Sequence, residues 1–138
     1  MGQGLPSPQD GGLRGTQSWG RTYWDGALFW LLADLQIREH SRGRFSLRDG
    51  LRAVVAQGGH GGVRWSAERT IAVIDEASGN SGVQSLFITM AERPVTTDLS
   101  ALWASLGLEP RGGLVLFHEE AFRAALRRSL TTVATRLP

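Results

Sequence analysis

Residues 22–38, "TYWDGALFWLLADLQIR", decide the fold class of this chain. Trp24, Leu28, Leu31 and Leu35 recur at three- to four-residue spacing, and Ala27 and Trp30 widen that stripe to a second face. The pattern predicts a helix from about Thr22 to Arg42 with so much apolar surface that other elements must cover most of it. Gly26 is out of place there, because glycine in a helix interior costs about 1 kcal/mol relative to alanine. Asp34 falls within the apolar run, and Arg38, four residues later, is placed to pair with it.

Further helices follow on the C-terminal side. Ser46 and Asp49 resemble a capping box ahead of a helix whose expected buried stripe is Leu47, Leu51, Val54 and Val55, and Gly58-Gly59 close that segment. The "GGHGG" at 58–62 lacks the Lys-Ser/Thr of a phosphate loop and reads as a connector. A third helix is expected after Ser66, with Ile71, Ile74 and Ala77 inward and Gly79-Asn80 as its stop. A fourth follows Ser81, carrying Val83, Leu86, Phe87 and Met90 and ending before Pro94. Asp98 caps a short helix with Leu99, Leu102, Trp103 and Leu106, closed by Gly107. "GLVLF" at 113–117 is the one clear strand candidate, expected to be too isolated to build a sheet. A last helix over 119–134 would bury Phe122, Ala125, Leu126, Leu130 and Val133. The expectation is a mainly α chain, an orthogonal helical bundle with one short strand near 113–117. Residues 1–18, rich in glycine and proline, form a loose arm ahead of a single helical domain over 19–138.

Composition narrows the function classes. All 15 basic residues are arginine, which explains a pI of about 10.3 beside a net charge of only +2. The arginines are scattered, with one local group at Arg123, Arg127 and Arg128, and no nucleic-acid recognition motif is present. Without cysteine there is no disulfide, thiolate metal site or thiol nucleophile. No apolar run approaches the ~18 residues of a membrane span, and the N-terminal residues do not read as a signal peptide. As written, the chain is expected to stay in the cytoplasm. Three histidines, His40, His60 and His118, are too few and too dispersed for a self-contained zinc site. "HEEAF" at 118–122 begins like the zinc-binding H-E-x-x-H but ends on Phe122. No G-x-S-x-G elbow is present either.

Tyr23-x-x-Gly26-Ala27, followed by an apolar helix ending in Asp34-Leu-x-Ile-Arg38, resembles the central helix of gluzincin zinc metallopeptidases, in particular the glycyl aminopeptidases. Those enzymes commonly join a thermolysin-like catalytic domain to a PDZ domain. "GRFSLRDGLRAVV" at 43–55 continues the likeness, and "MAERPVTTDLSALWASLGLEPRGG" at 90–113 is similar to the family's C-terminal helical region. The resemblance implies that the bundle is like the C-terminal helical subdomain of thermolysin-like peptidases. It implies that Tyr23 donates a hydrogen bond to the oxyanion of a tetrahedral intermediate, and that Gly26 lets substrate or another backbone approach. A phenol stays protonated at neutral pH, which suits that task. Read from the residues alone, Tyr23 is a helix-start aromatic with its hydroxyl in water. The zinc of the intact family has no ligand set here, because H-E-x-x-H belongs ahead of this tyrosine and the 22 residues before it contain no histidine. The expectation is a truncated, hydrolytically silent C-terminal portion that needs its missing N-terminal catalytic part, with a peptide substrate only in the intact enzyme. The alternative is a non-catalytic helical module that binds another protein through exposed apolar faces of the 22–42 helix.

Overall fold

The structure, a computed structural model, describes residues 19–79, 81–92 and 97–132. The chain divides into two compact units, Met1–Thr96 and Thr97–Pro138. The arm expected at 1–18 lies outside the described residues.

Among its described residues the first unit contains four helices: α1 (Trp19–His40), α2 (Leu47–Ala56), α3 (Ala67–Ser78) and α4 (Gly82–Glu92). Phe29, Ala33 and Ile37 of α1 meet Val54 of α2, Ile71, Val73 and Ile74 of α3, and Val83 and Met90 of α4 in one buried cluster. Phe29 packs edge-on against Trp30 and Phe87, with ring centroids 4.8 and 6.0 Å away. The first helix is therefore central, as its breadth of apolar positions demands.

The starts of α2, α3 and α4 each have an identifiable polar partner. The Asp49 carboxylate accepts the Ser46 N–H at 3.0 Å and its hydroxyl at 2.8 Å, while Asp34 of α1 accepts the Leu47 N–H at 2.7 Å. Ser66 Oγ accepts the Arg69 N–H at 3.1 Å at the start of α3. Helix α3 ends at Gly79, whose φ of +62° is the left-handed conformation that favours glycine. Helix α4 is capped from a distance: buried Asp75 of α3 accepts the N–H groups of Val83 and Gln84 at 3.1 and 2.9 Å.

The contact between α2 and α3 corrects the expected buried stripe on α2. Gly50 and Val54 are buried, whereas Leu51 and Val55 are exposed. A Cβ on Gly50 would stand 2.7 Å from Ile74 Cγ2 and 3.2 Å from Ile74 Cα. The missing side chain lets the two helices close, and that closeness rotates Leu51 and Val55 away from the interface.

The second unit contains α5 (Leu99–Ser105), the hairpin β1 (Leu108–Arg111) and β2 (Leu114–Phe117), and α6 (Ala124–Thr131). Asp98 accepts the Ala101 N–H at 2.9 Å, and Leu102, Leu106 and Ala124 are buried. The strand expected at 113–117 is not isolated. It pairs antiparallel with β1, in the register Leu108↔Phe117 to Arg111↔Leu114, across Gly112-Gly113 at φ +59° and +83°. Two successive positive φ values make the tight turn that joins strands without splaying them. The last helix is shorter than its pattern implies, and Phe122 precedes it, 90% exposed, rather than being buried. Ala125 is likewise exposed. The chain is mainly α-helical with one short antiparallel strand pair.

Candidate functional site

Tyr23 and Gly26 both lie on the first two turns of α1. The position of the Tyr23 side chain falls outside what the structure describes. Gly26 is half-buried, and a Cβ built on it would find no heavy atom within 4 Å. Packing among the described residues therefore does not account for the glycine, unlike Gly50. Between the two, Trp24 is 56% exposed and Asp25 is buried. Further along α1 the apolar surface is mostly covered: Leu28, Phe29, Ala33, Leu35 and Ile37 are buried, and Trp30, Leu31 and Leu32 are half-buried.

Asp34, the carboxylate inside the apolar run, has two structural partners. One oxygen meets Arg38 Nε at 3.0 Å and the other holds the Leu47 amide at 2.7 Å. With both oxygens engaged, Asp34 ties α1 to the start of α2 and is not set up as a base.

The histidines are used locally. His40 is exposed at the end of α1, and His60 Nδ1 accepts the Gly62 N–H at 3.1 Å within the glycine-rich turn. His118 follows β2, with Nε2 2.8 Å from Glu109 and Nδ1 3.5 Å from Glu120. Glu119 instead pairs with Arg127 and Arg128. Arg127 is the organiser of this unit. Its Nη1 donates to the carbonyls of Leu106 and Gly107 at 2.9 and 3.0 Å, and its guanidinium lies 5.0 Å from the Phe117 ring centroid. In the sequence Arg127 stands out only as one of a local arginine group; its partners lie 8 to 21 residues away, beyond the reach of helical spacing.

Among the described residues the zinc implied by the family likeness finds no set of ligands. Among the described residues no three His, Cys, Asp or Glu side chains converge so as to hold a metal ion. Among them, too, no helix is long and apolar enough to cross a membrane.

Among the described residues β2 is a continuous exposed apolar stretch, where Leu114, Val115, Leu116 and Phe117 expose 71, 50, 37 and 63% of their surface. All four sit on a strand whose other side is paired, so both faces of the hairpin carry apolar side chains to the surface. Comparison with protein families, with curated proteins and with solved structures found no match to this chain.

Proposed function

We propose that this chain supplies the C-terminal helical part of a fold similar to the glycyl aminopeptidases, and hydrolyses no peptide by itself. The observation that carries this reading is the start of α1. Tyr23-x-x-Gly26-Ala27 opens a central helix, and among the described residues none fills the space beside Gly26 where a side chain would stand. Among the described residues nothing packs against Gly26 to offset the roughly 1 kcal/mol cost of glycine in a helix, which leaves room for an approaching group. In the family's chemistry that is the substrate, with Tyr23 donating to the developing oxyanion. The 138 residues include no H-E-x-x-H, so a metal-activated water would have to come from a separate segment.

Two measurements test it. The purified chain with added zinc should neither bind the metal tightly at one equivalent nor cleave aminoacyl or peptide substrates; either result would overturn the claim of inactivity. Reading the DNA ahead of Met1 should reveal an H-E-x-x-H in frame. A stop codon directly ahead of Met1 would remove the fragment reading.

A second reading, a docking module acting in trans, is favoured by Trp24. A large aromatic exposed beside a vacant glycine is suited to anchor a partner. It differs from the first only in whether the completing segment lies on the same chain. Pull-down by a zinc-bearing catalytic domain, lost in Trp24→Ala, would distinguish them.

A further inference from the structure

We infer that the free edge of β2 is a self-association surface, pairing two-fold with β2 of a second copy to make a four-stranded antiparallel sheet. The inference is independent of the peptidase reading, since it rests wholly on the second unit. Its basis is the asymmetry of the hairpin's two edges. In a two-residue hairpin the closing pair is hydrogen-bonded and bonded pairs alternate along the ladder. Arg111↔Leu114 is that closing pair, Glu109↔Leu116 shares its parity, and the His118 N–H to Gly107 carbonyl bond at 2.9 Å continues it. The backbone groups of Val115 and Phe117 therefore point away from β1.

The outer edge of β1 is blunted by Pro110, which lacks an N–H, and flanked by Glu109 and Arg111. Proline and charge are the usual protections of an edge strand, and β2 has neither. Its sequence is Leu-Val-Leu-Phe.

A second copy fits this edge by its own symmetry. With the axis at Leu116, Val115 of each strand exchanges N–H and C=O bonds with Phe117 of the other, and Leu116 faces Leu116. That aligns an aromatic with a β-branched side chain twice and opposes no like charges. A hairpin of two strands is marginal in water, and pairing would double the sheet. Edge pairing leaves the side chains on the two faces of the sheet and buries mainly the strand edges, well below the ~1,200 Å² of standard interfaces. Such a dimer is concentration-dependent rather than obligate.

The absence of native cysteine makes the test direct. Sedimentation velocity across a concentration series should show the mass rise from one chain to two. Val115→Pro removes an outward N–H while leaving the β1 ladder intact, and should weaken dimerisation at least tenfold with the helical circular dichroism unchanged. Leu116→Cys should form a disulfide-linked dimer under mild oxidation, reversed by reductant, whereas Gln84→Cys should not. If Val115→Pro fails to fold, the Leu116→Cys crosslink decides alone. A monomer at every concentration, or equal crosslinking at positions 84 and 116, would overturn the inference.

Discussion

Substituting Gly50 by alanine pits two known effects against each other. Alanine is worth about 1 kcal/mol more than glycine inside a helix, so at an open position the change would stabilise α2. Here the new methyl would sit 2.7 Å from Ile74 Cγ2 and 3.2 Å from both Cα and Cβ of the same residue. The first contact lies well inside the sum of two carbon radii, and Ile74 is fully buried with no room to turn aside. Overpacking of this kind costs about 1–3 kcal/mol and requires α2 and α3 to separate slightly. The clash should win, leaving Gly50→Ala less stable by about 1 kcal/mol, up to about 2 kcal/mol. Urea unfolding followed by circular dichroism would read this as a lower midpoint at unchanged slope. A double-mutant cycle sharpens the test. In an Ile74→Ala background, itself destabilised by about 2–5 kcal/mol, the methyl contact with Cγ2 is gone. Gly50→Ala should then be neutral or stabilising. If Gly50→Ala raises the midpoint in the wild-type background, or costs the same in both, close approach of α2 and α3 at Gly50 is not what the glycine provides.

Other substitutions probe the polar links. Asp75→Ala strands the Val83 and Gln84 amides and should cost about 1–3 kcal/mol, with faster hydrogen exchange at those two amides than in the wild type. Asp34→Ala removes both the Arg38 pair and the Leu47 cap; because the cap is the shorter contact, stability should fall by about 1 kcal/mol even in high salt, measured by thermal unfolding. Gly107→Ala should disrupt the second unit, since φ there is +71° and the new Cβ would fall 2.1 Å from the His118 carbonyl oxygen; loss of amide protection through β1 and β2 would report it. Arg127→Met keeps an unbranched apolar stem but loses two carbonyl bonds and the Glu119 pair, and should cost about 1.5–3 kcal/mol in the same exchange measurement.

Helix boundaries set by neighbouring residues were legible in the sequence. Ser66 and Asp98 cap as expected, Gly79 and Gly107 take the left-handed conformation, and Asp34 pairs with Arg38 at helical spacing. Links between distant residues were not. Asp75 caps a helix that begins seven residues later, and Asp34 reaches Leu47 across thirteen. Neither has a local signature, because the connecting chain must fold first. Strand β1, Leu-Glu-Pro-Arg, lacks both alternation and β-branched residues, and only its partner makes it a strand. Leu51 and Val55 misled because helical periodicity marks an apolar side without saying how closely a neighbour can approach; Gly50 settled that. The site was partly legible: the position of Gly26 gained a vacant flank, whereas exposed β2 had no place in the functional reading of the sequence.

Arg127 has a consequence for how the chain responds to solvent. The first unit is held by a contiguous apolar cluster, but among the described residues of the second the buried hydrophobics are Leu102, Leu106 and Ala124, joined by one guanidinium that bridges two helices and a hairpin. Apolar burial weakens on cooling and strengthens in salts excluded from protein surfaces, whereas exposed charge pairs weaken as ionic strength rises. Urea and guanidinium chloride differ in this respect, since only the second is also a salt. The two denaturants should therefore rank the units differently, the salt of an arginine analogue loosening first the unit that arginine holds together.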